Sequence, residues 1–309
     1  MRELAKLGLI LMVSLPACSA SPGKTNARNA PVNGNMIANN ETSNDAGASS
    51  DFDEVLAKEL KKRKLSRESV CPSADPVARR VLAEYGAMFV AGDEVTPPPV
   101  CIFANEEEVT SFQNRAGFAT ETVGNDEIQL QRAAMKALMK AREEANEEGL
   151  DITPRDGAEA ARRNYQDSLN LWNSRFLPAL DYWLGKAKLT AEQAARLRSL
   201  PLPQQVAEVL ELEKQGIFFS KDFSKSILYS VAAPGASQHI AMLAFDADQY
   251  QNDRVRAIMA KHGWFQTVVS DHPHFTFLGL KEKDLPKHGL KSVVADGQKF
   301  WIPNVTERP

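Results

Sequence analysis

The sequence predicts an α+β domain: a mainly helical part followed by a small antiparallel sheet that carries a candidate metal site. Two observations lead there. Between Phe52 and Leu212, apolar residues recur at helical spacing between caps and prolines. From Ile217 onward, β-branched and aromatic residues gather in runs of strand length. Helices followed by short strands describe an α+β architecture, and no internal repeat argues for another.

The first residues precede the fold. Arg2 and Lys6 give a basic start, Leu7–Leu15 is apolar, and Leu15-Pro16-Ala17-Cys18 closes the stretch. It is too short to span a bilayer as a mature helix and reads as an export signal. A small residue before Cys18 resembles a bacterial lipoprotein processing site. There residues 1–17 are removed and the Cys18 sulfur carries a lipid; a plain secretory signal cut nearby is the alternative. Ser19 follows where an aspartate would retain the protein at an inner membrane, which in a Gram-negative cell favours the outer membrane. Residues 18–51 are rich in Asn, Ser, Ala and Gly and hold no aromatic residue. Such a segment buries too little apolar surface to offset its ordering entropy, so it reads as a tether.

Residues 52–309 suit one domain, mainly helical over 52–215 and β-rich over 216–309. The net charge of −3 gives no footprint for nucleic acid. With Cys18 lipidated, Cys71 and Cys101 remain. In an oxidising compartment they can pair and close a loop of roughly 30 residues; two buried free thiols are the alternative.

Asp53–Arg63 carries Val55, Leu56 and Leu60 on a modest amphipathic stripe. Asp75-Pro76 opens a helix through Met88, with Asp75 as N-cap and proline in the first turn. Pro97-Pro98-Pro99 ends that unit, and Val100–Ala104 suits a short strand. Glu127–Glu148 predicts a long helix with Leu130, Ala134, Leu138, Ala141 and Ala145 on one face, ended by Gly149. Ala158–Leu184 predicts another, bent near Pro178, with Trp172, Tyr182 and Trp183 as core residues. Thr190–Leu197 and Gln204–Gln215 are shorter helices. Strands are expected at Ile217–Phe219, Ile227–Ala232, Met242–Asp246, Phe265–Val269 and His274–Leu278, with a helix over Asn252–His262 ended by Gly263. Residues 281–309 read as a surface tail in which Phe300-Trp301-Ile302 packs back; His288 is expected in solvent, and His262 at a helix C-terminus.

The chemistry concentrates in PGASQHIAMLAFD (234–246) and HGWFQTVVSDHPHFTFLG (262–279). His239 and Asp246 flank an apolar run, and His274 lies on a neighbouring predicted strand. Two imidazoles and a carboxylate suit zinc, and three protein ligands with an open fourth position describe a catalytic site. A water held there is acidified to a pKa of about 7. His272 and His274 share a face if the strand alternation is strict; Asp271 is brought in only by a turn or bulge.

The string Pro234-Gly235-x-Ser237-x-His239-x-x-x-x-Ala244-x-Asp246 resembles the first zinc motif of the D-alanyl-D-alanine carboxypeptidase/dipeptidase family, which includes the vancomycin-resistance-type enzymes. Asp271-His272-Pro273-His274 resembles its second motif, an acidic residue three positions before a zinc-binding histidine, and His262-Gly263-Trp264 resembles the string preceding it. The resemblance implies a zinc peptidase of peptidoglycan stem peptides. In it His239, Asp246 and His274 are ligands and Asp271 is the general base, with His272 the second contender. Ser237 is a supporting hydrogen-bond donor. Gly149–Arg155 resembles an upstream string whose arginine contacts substrate, so Arg155, with Arg163 as alternative, is the candidate for holding a terminal carboxylate. The departures are Met242 where the family has glycine, aspartate in place of glutamate at 271, and a short interval between Asp246 and Asp271. A non-catalytic relative that binds wall peptide or metal, or a helical envelope lipoprotein with coincidental strings, are the other readings.

Overall fold

The computed structural model describes residues 50–306. The export signal, Cys18 and the tether through residue 49 lie outside them. The architecture is α+β, with small antiparallel sheets among many helices.

Helix α1 (Phe52–Lys62) starts where the Asp51 carboxylate accepts from the Glu54 N–H at 3.2 Å, and it buries Phe52, Leu56 and Leu60. A short helix α2 (Arg67–Val70) follows. Helix α3 (Pro76–Tyr85) begins on the Asp75 cap and runs into a buried 3-10 turn, Gly86–Val90. Cys71 and Cys101 form a disulfide with their Cα atoms 5.2 Å apart. The expected strand at Val100–Ala104 does not form. Cys101 N–H donates to Val70 and Phe103 N–H to Gly235, two segments that are not neighbours, so no ladder is built. The bridge closes a separation of 30 residues, and its reduction is expected to lower stability by about 3–4 kcal/mol. Denaturant unfolding with and without a thiol reductant measures this; coincident curves would contradict it.

Helix α4 (Glu106–Ala116) leads into a hairpin, β1 (Ala119–Val123) and β2 (Asp126–Leu130), then into α5 (Arg132–Glu147). The long helix expected from Glu127 therefore begins five residues later. Ile128 and Leu130 fit a strand alternation as well as a helical stripe. Gly124, at φ +65°, permits the tight turn that decides between them. Helix α6 (Tyr165–Gly185) starts on the Asn164 capping box rather than at Ala158, and it contains Pro178. Trp172 is fully buried and donates to Gln205 Oε1 at 2.9 Å, whereas Tyr182 is partly exposed. Helices α7 (Ala191–Ser199) and α8 (Leu202–Glu213) complete this part.

Ile217–Phe219 and Ile227–Ala232 are not strands. The Glu213 carboxylate accepts from the N–H groups of Phe219 and Ile227, at 3.4 and 2.6 Å, and Ile227–Tyr229 closes into a 3-10 turn. Their backbone groups are satisfied locally, so no ladder is needed. The site-bearing sheet comprises β3 (Ala244–Asp246), β4 (Trp264–Gln266) and β5 (His274–Phe277), in the order β3-β5-β4 and all antiparallel. Helix α9 (Asp253–Lys261), capped by Asn252, connects β3 to β4. Residues 290–303 are not a tail. Strands β6 (Leu290–Ala295) and β7 (Gln298–Pro303) form a hairpin whose Phe300, Trp301 and Ile302 are buried. His288 is half-buried, its Nδ1 3.1 Å from the Val90 carbonyl.

Candidate metal centre

Asp246 and His274 are directly opposed in the β3–β5 register, so their side chains leave the sheet on one face. His239 reaches the same point from the loop before β3. That loop is held by buried amides. Gln113 Nε2 donates to the Ile240 carbonyl at 3.0 Å, Gln131 Nε2 to Ala241 at 2.8 Å, and Gln131 N–H to Met242 at 3.0 Å. Each carbonyl of residues 240–242 is thus captured. Met242 sits at φ +56°, in the left-handed region that ordinarily favours glycine. Gly235 at the loop's start lies so close to Phe103 that an added Cβ would meet the Phe103 oxygen at 2.1 Å.

His239 Nε2, His274 Nδ1 and Asp246 Oδ1 converge. The two nitrogens are 3.1 Å apart, His274 Nδ1 is 3.1 Å from Oδ1, and His239 Nε2 is 3.3 Å from it. The surroundings assign the protons. His239 Nδ1 lies 2.8 Å from the Ala161 carbonyl, which only accepts, so Nδ1 carries the hydrogen and Nε2 a lone pair. Gln238 Nε2 donates to the Tyr85 carbonyl at 2.8 Å, which orients the amide. Its Oε1 then accepts from Thr276 Oγ1 at 2.5 Å and from His274 Nε2 at 2.7 Å, leaving the His274 Nδ1 lone pair facing inward. Three buried lone-pair atoms therefore face one another, an arrangement that a cation relieves. His239, Asp246 and His274 form a group that could hold a metal ion. Asp246 Oδ2 accepts from Arg163 Nη2 at 2.9 Å, which leaves Oδ1 free for the shared point.

Burial, with the Arg163 charge adding, lowers the His239 pKa to about 4 against the attraction of Asp246. Burial pushes Asp246 upward, but the charge and N–H donors that His239 and His274 offer when they take up protons outweigh it and hold the carboxyl well below its usual range. Unfolded His239 takes up its proton near the ordinary value of about 6.5. Between there and about 4 the unfolded chain binds more protons, so stability falls as pH drops through that window. Asp246, depressed in the folded chain, adds a loss of the same sign at lower pH. Unfolding of the chelator-treated protein at about pH 7.5 and about pH 4.5 is expected to show a lower midpoint in acid, with a smaller difference in His239→Gln. An equal difference in both chains would contradict the assignment to His239.

A cleft of about 300 Å³ opens on this group, and Asp271, Ser237, Arg155 and Arg163 all line it. Asp271 precedes β5 in a turn, with His274 N–H donating to its carbonyl at 3.2 Å. The turn breaks strict alternation and brings the Asp271 side chain to the cleft. Asp271 is exposed to solvent, yet protein atoms crowd around its carboxyl where it lines the cleft. That enclosure, followed by the Asp246 charge, raises its pKa from the ordinary aspartate value. His272 goes the other way. Its Nε2 is 3.4 Å from Asp296 and its ring centroid 5.4 Å from that of Phe300, and it does not line the cleft. Ser237 Oγ accepts from the His239 N–H at 3.3 Å. Arg163 is engaged with Asp246, and Arg155 lies over the Tyr250 ring at 5.3 Å from its centroid.

Sequence reasoning passed over Gln238, Gln113, Gln131 and Tyr85, which orient the group from behind. Glutamine has no motif signal of its own; only the adjacency of Gln238 to His239 could have drawn notice. Gln238→Ala is expected to weaken metal affinity by about 10–100-fold, as loss of an orienting partner does. Competition with a chromophoric chelator reads this, and unchanged affinity would remove Gln238 from the role. Comparison of the chain with family models, with curated proteins and with solved structures finds no match.

Proposed function

We propose that this chain is a zinc-dependent peptidase of cell-wall peptides, of the D-alanyl-D-alanine carboxypeptidase kind. The observation that carries the reading is the triangle of lone-pair atoms with edges of 3.1, 3.1 and 3.3 Å. Zinc bonds of about 2.0–2.1 Å in a tetrahedron separate ligand atoms by about 3.3–3.4 Å, so the donor set and its spacing both fit this ion. A cleft opens on the group, as a catalytic site with an exchangeable fourth position needs. The left-handed backbone at Met242 supports the resemblance independently, because it gives a physical reason for the glycine that the motif carries there.

Bound zinc would polarise the scissile carbonyl and lower the pKa of its water ligand. Asp271 lines the same cleft and would accept the proton of the attacking water and return it to the departing amine. Gln238 and the Ala161 carbonyl hold both imidazoles in the ligating tautomer, and Arg163 fixes the Asp246 carboxylate. Arg155 lines the cleft with an aromatic ring rather than an acid as its partner, and is the proposed cation for a terminal carboxylate.

The Cys71–Cys101 disulfide supports export to an oxidising compartment, where cell-wall peptide is available. Anchoring through a lipid on Cys18 belongs to the same proposal. Among the described residues no helix is long and apolar enough to cross a membrane. Metal analysis of the purified protein, joined to hydrolysis of an acylated D-alanyl-D-alanine peptide, tests the function. Stoichiometric zinc with release of D-alanine is expected. Zinc without hydrolysis of any wall peptide would instead describe a binding protein, and absence of zinc would remove the reading.

A further inference from the structure

Three guanidinium groups line the cleft, and two of them already have a role: Arg163 holds Asp246, and Arg155 is the cation proposed for the terminal carboxylate. The third, Arg175, has no carboxylate partner among the described residues. Its Nε donates to Ser230 Oγ and its Nη1 to Ser174 Oγ, both at 2.9 Å and both neutral. Its Nη2 meets no protein acceptor among the described residues. A guanidinium offers five N–H donors in a planar fork that matches a carboxylate. Here the fork is half-buried, oriented by two hydroxyls, and turned to a cleft with donors to spare.

Its position along the cleft follows from the helix. Ser168, Leu171 and Arg175 all line the cleft, and their spacing of three and four residues makes them one face of α6. The near end of that face adjoins the metal loop, because Ser168 Oγ accepts from the Gly235 N–H at 3.2 Å. At about 1.5 Å of rise per residue, Arg175 lies about 10 Å beyond Ser168 along the axis. The facing wall contains Leu228 and Ser230, and Ser230 holds the guanidinium. Helical side chains lean toward the N-terminus, which carries the long Arg175 side chain part of the way back toward Ser168. An extended peptide advances about 3.3–3.6 Å per residue, so a substrate group about two or three residues from one beside Ser168 comes level with the guanidinium.

We propose that Arg175, seated by Ser174 and Ser230, receives a second carboxylate of the substrate, borne by a side chain about two or three residues before the bond that is cut. The proposal rests on the peptidase reading, which leaves peptide only on the acyl side of the scissile bond. The cleft would then select acidic wall peptides rather than any chain ending in D-alanyl-D-alanine.

Paired peptides ending in D-alanyl-D-alanine, with glutamate or glutamine at the second or third residue before the scissile bond, test it. Binding to the zinc-loaded full chain is read by calorimetry, and hydrolysis is read separately by D-alanine release. The wild type is expected to bind the glutamate peptide at least about 10-fold more tightly, the scale of one hydrogen-bonded charge. Arg175→Gln should lose the difference, and Arg175→Lys should restore part of it as a point charge without the fork. A zinc-induced rise in Tm in each variant verifies that the fold and metal group survive. Equal binding of the two peptides by the wild type, binding of neither, or a preference that persists in Arg175→Gln would overturn the receptor. A preference lost in Arg175→Gln without any hydrolysis would leave the receptor standing and count against the peptidase.

Discussion

Replacing His274 with alanine is expected to remove both zinc binding and hydrolysis while leaving a folded chain. His274 supplies one of three converging lone pairs, and no other described side chain offers a replacement at that point. Turnover should fall by at least about 10³-fold, because several kcal/mol of transition-state stabilisation depart with the metal. The effect on stability separates metal loss from misfolding. Gln238 Oε1 keeps its Thr276 donor when the imidazole is gone, so no buried acceptor is stranded. The three facing lone pairs are reduced to two, which lessens their mutual repulsion in the metal-free chain. Zinc at about 100 times its Kd should stabilise the wild type by about 2.7 kcal/mol. That increment should vanish in His274→Ala, while the two chains unfold at similar midpoints in chelator, apart from a cavity cost at the imidazole. Thermal unfolding with zinc and with chelator reads both quantities. A full zinc increment in the variant would disprove the ligand assignment.

Asp271→Asn is expected to have the opposite signature: zinc retained, turnover lost. Asparagine has the size of aspartate but cannot take up the proton of the attacking water. Loss of a positioned general base costs about 10²–10⁴-fold in rate. Asp271 is not one of the three converging groups, so the zinc increment in Tm should be unchanged. His272→Ala is the control. Its imidazole faces Asp296 and Phe300, outside the cleft, and turnover should persist. Substantial activity in Asp271→Asn, or its loss in His272→Ala, would transfer the role of base.

The helical part was legible wherever caps and stripes agreed. Asp75-Pro76, Asn252 and Gly149 mark their boundaries because capping is local chemistry between a side chain and the next turn. The reading failed where one pattern served two structures. Ile128 and Leu130 fit a helix until Gly124-Asn125 turns the chain back on Thr120 and Glu121. Ile217–Phe219 and Ile227–Ala232 have strand composition, but the buried Glu213 carboxylate takes their amides instead. The hairpin of residues 290–303 was missed because its three buried residues, Phe300, Trp301 and Ile302, read as a local contact rather than as a strand.

The sequence by itself determined the donor set, since imidazole, carboxylate and imidazole at 239, 246 and 274 are chemical identities that no fold alters. It also determined the caps and the cysteine pair available to cross-link. Only the tertiary structure decided that Asp271 enters the cleft and His272 leaves it, because a turn ahead of β5 overrides the two-residue alternation. It alone chose the ligating nitrogens, through Ala161, Tyr85 and Gln238, which come from distant parts of the chain. It alone separated the arginines, engaging Arg163 with Asp246 and holding Arg175 by two serine hydroxyls at the cleft. The physical reason is the same in each case. A side chain's chemistry is intrinsic, whereas its direction, tautomer and partner are set by groups that meet it only after folding.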